Sequence, residues 1–134
     1  MPSVLIIGKG SREYAIKDKL VKHNVFMVDN REELNYILNN NNIDLVIVGS
    51  EKYLVEGIVD ELEIPTFGPT ENAARVEGSK IFAKNLMSMN NIPTAEFKVF
   101  YNNNDLFNFF KENDCRNYVI KEDGLAAGKG VYLP

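Results

Sequence analysis

Four short apolar runs, Val4–Ile7, Val25–Val28, Asp44–Val48 and Thr66-Phe67, alternate with stretches of helical period. Continuous apolar runs of this length suit strands covered on both faces, as in parallel sheets. Ile16 and Leu20 lie one helical turn apart in a stretch from Ser11, a plausible N-cap, to about Lys22. Leu34, Ile37 and Leu38 predict a second helix over Arg31–Leu38, and Leu54, Val55, Ile58 and Val59 a third. Asn39–Asn42 reads as a turn. Strand, helix, strand, helix, strand, helix predicts a small doubly wound α/β sheet with right-handed crossovers.

The pattern changes after Gly68-Pro69. Helices are predicted over Thr70–Arg75 and Ser79–Met89, a strand over Glu96–Tyr101, a helix over Asp105–Glu112 and a strand over Tyr118–Lys121. A glycine-rich segment and a last apolar run, Val131–Leu133, follow. The boundary is placed near Val76–Gly78, giving units 1–76 and 77–134.

Composition narrows the class. With 15 Lys and Arg against 19 Asp and Glu the net charge is −4, which argues against a general nucleic-acid binder. No apolar run reaches the roughly 18–20 residues that span a bilayer, and the N-terminus reads as a strand rather than a signal peptide. The single cysteine, Cys115, builds no disulfide framework, so a reducing, cytoplasmic setting is expected. Neither a Cys/His metal cluster nor a Ser-His-Asp arrangement is visible; His23 and Cys115 are taken as bystanders.

Three segments carry candidate chemistry. Gly8-Lys9-Gly10-Ser11-Arg12-Glu13 links a strand to a helix, where a glycine turn either presents N–H groups to an anion or serves only as a tight connection. Gly49-Ser50-Glu51 sits at the carboxyl end of the third strand, where open α/β sheets bind ligands. Lys121-Glu-Asp-Gly-Leu-Ala-Ala-Gly-Lys-Gly-Val131 is a glycine hairpin with lysines, suited to covering phosphates. Lys80 and Lys84, one turn apart, form either a basic ligand face or a solvated one.

These segments, with Leu54-Val-Glu-Gly-Ile-Val-Asp60, Phe67-Gly-Pro, Glu77-Gly-Ser-Lys-Ile-Phe-Ala-Lys84 and Asn91-Ile-Pro-Thr-Ala95, occur in the same order in the phosphoribosylamine–glycine ligases. The chain resembles the N-terminal portion of these ATP-grasp enzymes over nearly its whole length. The resemblance implies a Rossmann-like (pre-ATP-grasp) substrate domain over 1–76, and a linker helix with the incomplete start of an ATP-grasp domain over 77–134. It implies ATP-dependent joining of glycine to phosphoribosylamine in purine synthesis, with ATP and magnesium as cofactors. By resemblance, Lys80, Lys121, Gly124, Gly128, Lys129 and Gly130 contact ATP. Gly8, Gly10, Ser11, Arg12, Glu13, Gly49 and Glu51 face phosphoribosylamine. No metal ligand is assigned, because the family's magnesium ligands lie downstream of the glycine loop.

This sequence departs from the family's pattern at Ser11, Tyr14, Ser50 and Glu122, and lacks the substrate loop expected after the second strand. Ordering Asp123–Gly130 costs roughly 8–16 kcal/mol, at about 1–2 kcal/mol per residue. A lysine and three amides on phosphate return about 6–12 kcal/mol. The chain alone is therefore expected to bind ATP weakly or not at all, and to be catalytically incomplete. It is expected to be one piece of a ligase, completed or covered at its end by a protein partner, or a shortened non-catalytic relative kept as a binding or assembly module.

Overall fold

In a computed structural model, which describes residues 1–126 and 128–133, the chain divides into two compact units, Met1–Arg75 and Val76–Pro134. The first unit contains β1 (Ser3–Ile7), α1 (Ser11–Lys19), β2 (Asn24–Val28), α2 (Arg31–Asn40), β3 (Leu45–Val48), α3 (Glu51–Val55), α4 (Ile58–Glu61) and β4 (Thr66–Phe67). Its four strands are parallel, in the order β2-β1-β3-β4. The helix after β1 leads to one edge of the sheet and the helix after β2 leads back across to β3. The carboxyl ends of β1 and β3 therefore flank the point where the winding reverses.

β1 is the central strand, and Val4 to Ile7 are all but inaccessible. Leu5 and Ile7 join Val28, Val46 and Val48 in a cluster closed by Leu34 of α2, Tyr53 of α3 and Ile58 of α4. Ile6, which points to the opposite face, is fully buried as well. Burial on both faces is the reason the run is apolar without alternation.

Local chemistry sets the helix ends. Asn30 caps α2 by accepting the Glu33 N–H at 2.8 Å. At α1 the expected Ser11 cap is displaced by one residue: Gly10 is the N-cap and Ser11 the first helical residue. The helix is capped from within, because the Glu13 carboxylate reaches back to the Gly10 N–H at 2.7 Å. α1 stops at Lys19 rather than near Lys22, and the Asn39–Asn42 turn begins later than expected, since α2 runs to Asn40. The third predicted helix is two short ones, broken at Gly57, whose φ of +81° lies in the left-handed region.

The second unit begins within α5 (Glu71–Gly78), where the division between the units falls. It contains α6 (Lys80–Met89), α7 (Asn103–Glu112), a 3₁₀ turn (Cys115–Asn117) and a two-stranded antiparallel hairpin of β5 (Ile120–Lys121) and β6 (Val131–Tyr132). The strand expected over Glu96–Tyr101 is absent; that segment forms no regular element and pairs with no strand among the described residues. Extended residues become a strand only when a neighbour takes their backbone hydrogen bonds. The predicted strand over Tyr118–Lys121 is likewise confined to Ile120 and Lys121.

Ala83 is the one apolar residue of this unit that counts as buried among those described. Phe100, Phe109, Phe110 and Tyr118 hold α7 to its flanking segments through tilted and edge-to-face ring contacts with centroids 5.2–5.9 Å apart. No helix among the described residues is long and apolar enough to cross a membrane.

Candidate functional site

At the switch point of the first unit, the β1–α1 connection and the β3–α3 connection close over one buried carboxylate. Glu13 is only 5% exposed. A Cβ built on Gly49 would lie 2.2 Å from Glu13 Oε1 and 2.6 Å from its Cγ. A Cβ on Gly10 would lie 2.7 Å from Oε2, and one on Gly8 2.9 Å from Cγ. The three glycines flagged in the sequence thus share one physical role here. They leave the space that the Glu13 side chain fills, and Gly8 additionally takes a φ of +120°.

The charge of Glu13 is not isolated. Besides the Gly10 N–H, the Arg12 guanidinium approaches its Oε1 at 4.0 Å. Arg12 also donates to Glu51 Oε1 at 2.8 Å, joining the start of α1 to the start of α3. Gly8, Gly10, Ser11, Arg12, Glu13, Gly49 and Glu51 therefore lie together, with Arg12 and Glu51 exposed at the mouth and Glu13 beneath them.

Next to this group, Lys9 donates to Glu33 at 2.7 Å. Glu33 also accepts the Asp29 N–H at 3.0 Å. The Lys9 bond, then the backbone bond, hold the Glu33 carboxyl below its ordinary range, and the same carboxylate raises the Lys9 ammonium. Tyr53 donates its hydroxyl to the Asp29 carbonyl at 2.8 Å, fixing the turn after β2. Asp29 thus enters through its backbone N–H and carbonyl. Lys9, Met27, Asn30, Glu33, Tyr36 and Ile37 line an open depression of about 570 Å³ beside this turn. Lys9 lies within the flagged glycine turn, but its pairing with Glu33 is not read from the sequence. The available signal was Glu33 at the third position of a helix opened by Asn30.

In the second unit the structure brings Lys80 to the glycine hairpin. Lys80 Nζ donates to the Gly124 carbonyl at 2.8 Å. The Asp123 carboxylate accepts from Ser79 Oγ at 3.1 and 3.0 Å and from the Ile81 N–H at 3.1 Å. Burial pushes the Asp123 carboxyl up, but the Ile81 N–H and the Ser79 hydroxyl outweigh it, so it sits below its ordinary value. Lys121 pairs through its backbone with Val131, and its side chain is exposed; Lys129 is exposed too. Glu122 accepts from the Tyr132 hydroxyl at 2.6 Å, and its N–H donates to the Gly130 carbonyl at 2.8 Å. Lys84 is engaged elsewhere, donating to Thr94 Oγ1 at 2.7 Å and the Ala95 carbonyl at 2.9 Å.

The glycines of the hairpin are not equivalent. Gly124 and Gly128 have φ of +93° and +77°, and a Cβ on either meets nothing within 4 Å. Gly130 is buried, and a Cβ there would lie 2.6 Å from Ala126 Cβ. The first two leave open backbone that an anion can approach, whereas the third closes the hairpin. Of the three lysines, only Lys80 is placed by a hydrogen bond against this open backbone, while Lys121 and Lys129 are exposed. Among the described residues, no group of three or more His, Cys, Asp or Glu is gathered as a metal site.

Two family models match the chain in succession. "Phosphoribosylglycinamide synthetase, N domain" matches residues 21–77, and "Phosphoribosylglycinamide synthetase, ATP-grasp (A) domain" matches residues 78–134. The chain is 40% identical over 154 aligned positions to the phosphoribosylamine–glycine ligase of Caldanaerobacter subterraneus subsp. tengcongensis, covering 97% of this chain and 37% of that protein. It is 37% identical to a bifunctional purine biosynthetic protein of Dictyostelium discoideum, covering 98% of this chain and 19% of that one. The crystal structure of the Thermotoga maritima phosphoribosylamine–glycine ligase superposes with a TM-score of 0.73 at 34% identity, covering 97% of this chain and 35% of that one. The chain thus spans little more than a third of the length of the ligases it matches.

Proposed function

The chain belongs to the phosphoribosylglycinamide synthetase family, and from that premise we propose that it provides the substrate domain and the phosphate-covering hairpin of an ATP-dependent ligase that joins glycine to phosphoribosylamine. The observation that carries this reading is the ordered match of the N domain and then the ATP-grasp domain over residues 21–134, with a ligase relative aligned over 97% of the chain.

The residues divide the work as follows. At the switch point, backbone N–H groups opening α1 and the Arg12 guanidinium suit a phosphate, and the Glu51 carboxylate suits a hydroxyl or amine. Glu13 holds the two connections around it. In the second unit, Lys80, Lys121 and Lys129, with the open backbone at Gly124 and Gly128, suit the phosphates of ATP, and Gly130 closes the hairpin. ATP, when bound, supplies the phosphoryl group that activates the glycine carboxylate.

The test is ATP cleavage that requires both glycine and phosphoribosylamine. It is measured on this chain alone and after addition to an extract from cells lacking their own ligase. Cleavage above the extract's background, dependent on both substrates, is expected; none in either setting refutes the assignment. A second reading, a non-catalytic binding or assembly module, is favoured by one observation. Lys9, Arg12 and Lys80 are already engaged by Glu33, Glu51 and the Gly124 carbonyl.

A further inference from the structure

We propose that Asp123 is the positioning residue of the glycine loop: its carboxylate ties the base of the loop to the first turn of α6 and so delivers the Lys80 ammonium to the loop's backbone. The sequence assigns the site to the lysines and glycines of this segment and gives Asp123 no role of its own.

Three observations converge. The Asp123 carboxylate takes two kinds of donor from the start of α6, the Ser79 hydroxyl and the Ile81 N–H. Ser79 Oγ in turn accepts the Phe82 N–H at 3.1 Å, so the cap of the helix and the loop share one hydrogen-bonded chain. The first turn of α6 has no acidic residue of its own, and Asp123 supplies the negative charge a helix start favours from more than forty residues away.

Side-chain packing does not explain the turn at Gly124 itself. Asp123 is exposed, and a Cβ at Gly124 would meet nothing within 4 Å. Gly124 takes a φ of +93°, open to glycine at little cost, so its backbone turns with no side-chain packing at its Cβ position to enforce it. The direction of the chain there is set by the carboxylate before it and the lysine bond after it. Lys80 is the residue between Ser79 and Ile81, the two that hold Asp123. Anchoring Asp123 therefore places the Gly124 carbonyl within reach of Lys80 Nζ, at 2.8 Å. An ammonium has three donors and one is used here, so two remain for an anion arriving at the loop. The consequence for nucleotide rests on the reading above that this loop covers phosphates; the latch itself does not.

Amide hydrogen exchange on the intact 134-residue chain tests it, comparing wild type with Asp123→Ala, Asp123→Asn and Lys80→Ala. In Asp123→Ala the Ile81 and Glu122 amides are expected to exchange about 10- to 100-fold faster, the loss that follows from removing hydrogen bonds to a charged group. Amides of β1 and β3 should keep their rates. Asp123→Asn keeps an acceptor oxygen and should recover most of the Ile81 protection. Lys80→Ala should leave Ile81 within about 3-fold of wild type, because Asp123 is the anchor and the lysine follows it.

Unchanged Ile81 and Glu122 exchange in Asp123→Ala overturns the proposal. Equal acceleration in β1 and β3 overturns it too, since the residue would then act on the whole fold. Acceleration in Lys80→Ala as large as in Asp123→Ala would make the lysine the anchor instead. A failed ligase assay bears on the function and leaves these rates untouched, so the two failures are distinguishable.

Discussion

Replacing Gly49 with alanine adds one methyl group at the most crowded point of the switch site. The backbone there is outside the left-handed region, so alanine meets no conformational penalty and any cost is one of contact. The new Cβ would lie 2.2 Å from Glu13 Oε1, 2.6 Å from Cγ and 2.7 Å from Cδ. A carboxylate oxygen alone could swing aside, but here Cγ is struck as well, and the space at Gly8 and Gly10 is already filled by the same side chain. Glu13 must therefore leave its place or push the β3–α3 connection outward. Overpacking of this kind costs about 1–3 kcal/mol. Loss of the Gly10 N–H bond to the carboxylate adds roughly 1 kcal/mol once water replaces part of it. The sum, about 2–4 kcal/mol, lowers the thermal midpoint by roughly 8–16 °C for a chain of this size.

The assay is thermal and urea unfolding of four proteins: wild type, Gly49→Ala, Glu13→Ala and the double variant. With the carboxylate gone, Gly49→Ala should cost less than about 0.5 kcal/mol, since the space it needs is then empty. If Gly49→Ala costs the same in both backgrounds, or less than about 0.5 kcal/mol in wild type, the packing of these glycines around Glu13 is not their reason.

Ile58→Ala, which empties a fully buried position against the sheet, is expected to destabilise by about 2–5 kcal/mol in urea unfolding. Asn30→Ala removes the α2 cap and should cost about 1 kcal/mol, with the loss seen first as faster exchange of the Glu33 amide. Gly124→Ala meets no atom, so it should cost only the strain of a φ of +93°, about 1–2 kcal/mol, in contrast to Gly49. Acid titration has a definite sign. Glu33, held by Lys9, Glu61, held by Arg31, and Asp123, where hydrogen bonds outweigh burial, all have carboxyl pKa values lowered by folding. Their contribution is present above the ordinary carboxylate range and is lost as pH falls through the lowered values, so midpoints should be flat near neutrality and drop in acid.

Much of the first unit was legible because burial dictates pattern. Val4–Ile7 is apolar at every position since both faces of a central parallel strand are covered, and the leucine-isoleucine stripe of α2 faces the sheet. Helix ends were less legible. Ser11 and Gly10 both suit a cap, and the choice fell to Glu13, whose reach back to Gly10 depends on where the chain turns. The stretch Glu96–Tyr101 has strand-like residues, but pairing requires a partner strand, which no local signal supplies.

The site divides in the same way. The glycines at 8, 10, 49, 124, 128 and 130 and the lysines at 80, 121 and 129 stand out in sequence, because phosphate chemistry uses those residue types. Sequence alone determined the order of elements, the family resemblance and the residues that mark it. Only the tertiary structure decided what those residues do for one another. It made three of the glycines room for a buried glutamate, turned Arg12 and Glu51 into a pair across two connections, and set Asp123 on the first turn of α6. The reason is distance along the chain. Hydrophobic period and turn chemistry act over a few residues, whereas the Gly49–Glu13, Arg12–Glu51 and Asp123–Ile81 contacts join residues 36 to 42 positions apart, which only folding brings together.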